Sequence, residues 1–175
     1  MYRERCEHTR QLFLHRLKRI SAKNLVYVDE AGIDQYLFRE YVRAPRGQTV
    51  IGKVSGKKYK RTNIVAGICC GQWVAPMQYS HSTDSDLFEF WFEHCLLKEI
   101  GRGKYIVLDN ATFHRKARLR EIAQSKKCKL IFPPPYSPDL NPIEKKWAWL
   151  KQKLREILMA SESLDHALWC AFQVV

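Results

Sequence analysis

Residues 133–151, PPPYSPDLNPIEKKWAWLK, most constrain the fold because they first prevent regular structure and then start a helix at a defined position. Each proline fixes its own φ angle and lacks a backbone N–H, so the chain is predicted to stay irregular up to Asn141. Asn141 is a preferred N-cap, Pro142 suits the first helical position, and Glu144 falls at the third. There its carboxylate favours the positive end of the helix dipole.

Glu144 has a purely structural interpretation. A glutamate at the third helical position can accept a hydrogen bond from the N–H of the cap residue, which makes a capping box. For this segment taken alone, a capping box is the simpler explanation. A role for Glu144 in binding a ligand depends on carboxylates elsewhere in the chain.

Two apolar runs each end on an aspartate: LVYVD at Asp29 and KYIVLD at Asp109. Runs this apolar are typical of strands that are buried on both faces, and a carboxylate there is poorly solvated without a partner. Sites in open α/β sheets form at the carboxyl ends of strands. Asp34 is the main alternative to Asp29, but it follows a glycine, where a solvated turn aspartate is more common. We therefore predict that Asp29, Asp109 and Glu144 form a divalent-metal cluster.

The segments VDEAG, LDNATFH and PPYSPDLNPIEKKW, which contain Asp29, Asp109 and Glu144, resemble the catalytic segments of DDE transposases of the mariner superfamily. The resemblance is strongest to the bacterial insertion-sequence branch and runs from about residue 25 to residue 158. Thirty-four residues lie between Asp109 and Glu144, a spacing typical of that superfamily. The resemblance implies an α/β, ribonuclease H-like fold with a mixed five-stranded sheet flanked by helices.

The resemblance also implies two-metal-ion DNA cleavage and strand transfer during transposition. Two Mg²⁺ ions, for which Mn²⁺ would substitute, would be held by the three carboxylates, with Asp29 bridging both. Asn110, His114 and Asn141 are expected to support these ligands from behind. Two alternatives stay open: a metal-dependent nuclease of the same fold that cannot join DNA, and a transposase remnant that binds DNA without catalysis.

A formal net charge of +12 favours an acidic partner, and nucleic acid is the commonest one for a basic domain. The loop at residues 52–61 and one face of the helix that carries Glu144 are the predicted contacts to DNA phosphates. A solvated loop and ion pairs along the helix explain the same charges about equally well. The candidate DNA-binding residues are Lys53, Lys57, Lys58, Lys60, Arg61, Lys145, Lys151 and Arg155.

Other patterns predict the remaining elements. Residues 2–20 read as an amphipathic helix, residues 38–44 as a strand, and the segments around Gly71 and Gln72 as an antiparallel hairpin. Thr83 and Asp86 predict a capped helix over residues 83–100. The expected element order is β-β-β-α-β-α-β-α.

We divide the chain into an N-terminal helix or linker at residues 1–23 and a catalytic domain at residues 24–175, without the helix-turn-helix modules usual in the family.

The six cysteines form no CxxC pair, so we interpret them as reduced thiols of an intracellular protein. The sequence contains no run of eighteen apolar residues, so no membrane span is expected. The predicted location is cytoplasmic and associated with the nucleoid. The predicted partners are transposon-end and target DNA, while a homodimer and a separately encoded DNA-binding half are left open.

Overall fold

The computed structural model describes residues 6–34, 45–48, 61–158, 160–161 and 163–174. Within them a single five-stranded sheet has the order β3-β2-β1-β4-β5. β1 pairs antiparallel with β2 and parallel with β4, so the predicted mixed five-stranded sheet is confirmed. Its strands are β1 (Leu25–Asp34), β2 (Arg61–Cys69), β3 (Gln72–Tyr79), β4 (Tyr105–Val107) and β5 (Lys129–Ile131).

Helices cover both faces of the sheet, as the family resemblance implies. A helix with a π-helical turn at Phe92–Leu96 links α2 to α3 without a break. No described helix has both the length and the apolar character needed to cross a membrane. The helices are α1 (Glu7–Lys18), α2 (Ser85–Trp91), α3 (Leu97–Ile100), α4 (Lys116–Ser125), α5 (Ile143–Leu158) and α6 (Leu164–Val174).

β1 separates two cores because successive side chains of a strand point to opposite faces. On one face Val26 and Val28 pack with aromatic side chains of the α2 helix, including Phe88 and Trp91. On the other face Ala31 and Ile33 pack with α5 and α6. Asp29 falls on the α5 face by this alternation, and Glu30 falls on the α2 face. The two adjacent carboxylates therefore enter different surroundings.

α1 packs on the sheet beside the parallel strands. Its Phe13 and Leu17 are buried in a cluster that includes Leu25 of β1. The buried guanidinium of Arg10 donates hydrogen bonds of 3.0 and 2.6 Å to the two carboxylate oxygens of Asp139. α1 is thereby attached to the loop that leads into α5.

Two local predictions are wrong. β1 does not end in a turn after Asp29 but pairs with β2 as far as Asp34, opposite Arg61, because the ladder satisfies the backbone groups of residues 30–34. The helix after β3 is capped by Asp84, whose side chain accepts a hydrogen bond of 2.8 Å from Leu87 N–H. Thr83 instead hydrogen-bonds to the hydroxyl of Tyr79. The predicted strand at residues 38–44 lies outside the described residues.

Candidate active site

One cleft of about 360 Å³ is lined by the three predicted carboxylates, beside the middle of β1 and just beyond the carboxyl end of β4. Asp29 and Asp109 reach it from the sheet, and Glu144 reaches it from the first turn of α5. Pro133, Pro134 and Pro135 form one wall. Three elements that are distant in the sequence thus direct carboxylates into a single space.

Asp29 and its neighbour Val28 each accept a hydrogen bond from the first part of α5 or its N-cap. The indole N–H of Trp147 donates to Asp29 Oδ2 over 3.1 Å. One residue earlier, the backbone carbonyl of Val28 accepts a hydrogen bond of 3.3 Å from the side-chain amide of Asn141. Burial, followed by the nearby charges of Glu144 and Asp109, raises the pKa of Asp29 to about 7. In the absence of a cation, the carboxylates therefore disfavour one another's ionised forms.

The pKa of Asp109 is shifted in the opposite direction from that of Asp29. Burial acts to raise its pKa, but the hydrogen bond with His114 and the backbone N–H of Ala111 outweigh it, so the pKa of Asp109 lies below its usual value. The distances to Asp109 Oδ1 are 3.0 Å from His114 Nε2 and 3.1 Å from Ala111 N. The side chain of His114 is fully buried, which fixes this contact. Asp109 is thus stabilised as an anion.

Glu144 is exposed to solvent on the first turn of α5. The N–H of Asn141, which a capping-box glutamate would bind, instead donates to the carbonyl of Pro138 over 2.8 Å. Asn141 Oδ1 lies 3.4 Å from the N–H of Ile143, as expected of an N-cap. Asn141 therefore begins α5 without help from Glu144, and the capping-box interpretation of Glu144 is wrong.

Asn110 links the Asp109 loop to the proline wall. Its side-chain amide donates to the carbonyl of Pro133 over 2.8 Å, and its Oδ1 accepts a hydrogen bond of 2.7 Å from Lys116. Tyr136, at the end of the wall, is about half exposed and has a φ of 54°. This φ is uncommon for a bulky side chain.

Glu30 is a neighbour of the site that the sequence analysis missed. Its Oε1 is buried, has no hydrogen-bond partner among the described residues, and lies 3.9 Å from Nε2 of His114. Glu30, Asp109 and His114 offer donor atoms that all lie within 4.8 Å of one another. Burial, followed by the charges of Asp109 and Asp29, raises the pKa of Glu30 to about 8. Strand alternation would have revealed Glu30 only if β1 had been predicted to continue past Asp29.

The residues of the cleft fit a hard divalent cation. Three carboxylates line it, and oxygen ligands of this kind are those that Mg²⁺ and related ions prefer. Burial first, and then the charges of Glu144 and Asp109, raise the pKa of Asp29, so its ionised form is poorly stabilised without a counter-charge. A bound cation would supply that counter-charge.

The candidate DNA-binding residues that the structure describes do not line the cleft. Lys53, Lys57, Lys58 and Lys60 lie outside the described residues. Arg61 is exposed at the start of β2, and a Cβ on Gly32 would lie 2.1 Å from its Nη2, so its guanidinium covers that glycine. Lys145 is exposed on α5, while Lys151 and Arg155 are half-buried there. Of these four described residues, none lines the cleft.

The pKa shifts of Asp29 and Glu30 predict the pH dependence of stability without metal. A carboxyl whose pKa is raised on folding stabilises the protein below the unfolded pKa, and that stability is lost as the pH rises through the folded pKa. In the presence of a chelator, we expect the Tm to fall as the pH rises from about 5 to 9. The fall should be several degrees for each kcal/mol lost from the free energy of unfolding. Glu30→Gln should flatten the profile measured by thermal denaturation. Glu93→Gln, at an exposed position, should leave the profile unchanged. Equal slopes of Tm against pH for the parent and both variants would contradict the assignment of the pH dependence to Glu30.

Comparison with known proteins agrees with this geometry. Residues 24–165 match the family model described as DDE superfamily endonuclease. No curated protein matches the sequence. The mariner Mos1 paired-end complex with Mg is similar at 18% identity and a TM-score of 0.64, over 95% of this chain and 56% of that one.

Two further structures share the fold. The Mos1 strand transfer complex has a TM-score of 0.63 at 18% identity, with the same coverage of 95% and 56%. The catalytic core domain of BIV integrase has a TM-score of 0.53 at 13% identity, over 86% of this chain and 81% of that one. These likenesses confirm the ribonuclease H-like fold. The chain spans just over half the length of the Mos1 chains.

Proposed function

This chain belongs to the DDE superfamily endonucleases, and we propose that it is the catalytic domain of a transposase of the mariner superfamily, in the bacterial insertion-sequence branch. Its reaction would be the cleavage of DNA followed by transfer of the cut strand to a target. The observation that carries the proposal is the convergence of Asp29, Asp109 and Glu144 on one cleft from β1, the end of β4 and the start of α5.

Asp29, Asp109 and Glu144 would hold the divalent cations, which we propose to be two Mg²⁺ ions with Mn²⁺ as a substitute. When bound, such a pair activates the attacking oxygen and stabilises the leaving oxygen of an in-line displacement at phosphorus. Mos1 paired-end complexes have been solved with Mn in one case and with Mg in another. A divalent cation is therefore the expected cofactor of this cleft.

The residues of the chain have separable tasks in this proposal. His114 and Ala111 keep Asp109 ionised and oriented. Asn141 ties the start of α5 to β1, and so fixes the position of Glu144 relative to Asp29. Asn110 holds the loop after Asp109 against Pro133. Three sets of contacts thus hold the segments that carry the carboxylates before a cation or DNA binds.

DNA is the proposed substrate and partner. The net charge of +12 favours a polyanion, and solved relatives are described as complexes with a transposon end or as a strand transfer complex. For this chain we propose transposon-end and target DNA, with residues 24–175 as the catalytic domain and residues 1–23 as a linker or cap. A homodimer and a separately encoded DNA-binding half are further proposed partners.

Joining of DNA ends separates a transposase from a simple nuclease. We expect the protein with Mg²⁺ to nick supercoiled plasmid, and to join a labelled duplex with a free 3′-hydroxyl to that plasmid. The measurement is gel electrophoresis of the labelled product, with a duplex blocked at its 3′ end as the control. Nicking without joining would identify a nuclease. DNA binding without nicking would identify a remnant.

A further inference from the structure

We propose that Trp147 is a positioning residue whose indole N–H fixes Asp29 in the orientation that binds a divalent cation. The inference rests on the proposed function, because it takes Asp29 to be a metal ligand. It adds a residue of α5 to the site, although Trp147 does not line the cleft.

The geometry joins Trp147 to both sides of the site. Its Nε1 lies 3.1 Å from Asp29 Oδ2, and its side chain is almost fully buried. Trp147 and Glu144 are three residues apart on α5, which places them on neighbouring positions of one helix face. A single turn of α5 therefore carries one carboxylate into the cleft and holds a second by a hydrogen bond.

The indole ring has little freedom to move. Its centroid lies 4.7 Å from that of Trp73 on β3, and Trp73 in turn contacts Phe172 of α6 at 5.1 Å. Trp147 is thus packed between the sheet and α6, which fixes the direction of its N–H. Hydrogen bonds that orient a metal ligand from behind contribute strongly to metal affinity.

Trp147→Phe tests the hydrogen bond while keeping an aromatic ring in the cluster. We expect this variant to bind Mn²⁺ about tenfold more weakly, the lower end of the effect of losing such a contact. The measurement is titration of free Mn²⁺ by electron paramagnetic resonance in the absence of DNA.

Trp73→Phe is the matched control. The indole Nε1 of Trp73 is buried and has no hydrogen-bond partner among the described residues, so this change alters the same cluster without removing a bond to Asp29. We expect only Trp147→Phe to lose Mn²⁺ affinity. Equal Mn²⁺ binding by the two variants would overturn the proposal and leave Trp147 as a packing residue.

Asp29→Asn separates failure of this inference from failure of the proposed function. If Asp29→Asn binds Mn²⁺ as well as the parent, Asp29 is not a ligand and both proposals fail. If only Asp29→Asn loses Mn²⁺, the inference alone fails.

Should Trp147→Phe not fold, the indole N–H resonance of Trp147 in the parent serves instead. It should shift in Asp29→Ala, while that of the exposed Trp149 should not, and an unshifted Trp147 resonance would overturn the inference.

Discussion

Asp109→Asn is expected to lower metal-dependent DNA cleavage by at least about a hundredfold, the effect of losing one strong electrostatic group from an active site. The amide can still accept hydrogen bonds from Ala111 and His114, so the local fold should persist. It cannot supply the negative charge that a hard cation requires. The change therefore removes charge with little change in shape.

The measurement is the rate of plasmid nicking at saturating Mg²⁺, together with DNA affinity and Tm. Asp86→Asn is the matched control, because Asp86 is exposed on α2 and pairs with Arg115 outside the cleft. We expect that control to cleave like the parent. If a cleanly purified Asp109→Asn protein nicks DNA at the parental rate, the assignment of Asp109 as a ligand is wrong.

The elements that carry the three carboxylates could be predicted from the sequence because their signals are local. Asp29 and Asp109 each follow a dense apolar run, and Asn141 with Pro142 defines a helix start. Local signals do not specify which strands and which helix start lie together in the fold. The expectation that all three converge came from the resemblance to a family and from the rule that sites form at strand ends.

Trp147 could not be predicted as a supporting residue, because its contact with Asp29 is long-range. Trp147 reaches Asp29 across 118 residues, so no local pattern in the sequence indicates the contact. Asp34 was expected in a turn after Gly32, but pairing with β2 continues the strand past Glu30 as far as Asp34. Asp84 caps its helix, in line with the higher N-cap preference of Asp over Thr, while Thr83 hydrogen-bonds to Tyr79.

Binding of this chain to duplex DNA is expected to depend steeply on salt and little on sequence. If Lys and Arg side chains contact phosphates, each contact contributes about −0.9 to the slope of log affinity against log salt. Four contacts would therefore weaken binding roughly a hundredfold over a fourfold rise in salt. Contacts to base edges would instead give a preference for one sequence that persists at high salt.

The measurement is a titration of a transposon-end duplex and a scrambled duplex at several salt concentrations. Lys145→Ala, on the exposed surface of α5 next to Glu144, should reduce the slope by about one contact. Lys98→Ala is the matched control, because α3 packs on the opposite face of the sheet from α5 and so lies away from a duplex bound over the cleft. Both duplexes should lose affinity in parallel, since phosphates are common to them. A large preference for one duplex that resists salt would show that this chain itself reads sequence, and would contradict the proposal that a separately encoded half performs that recognition.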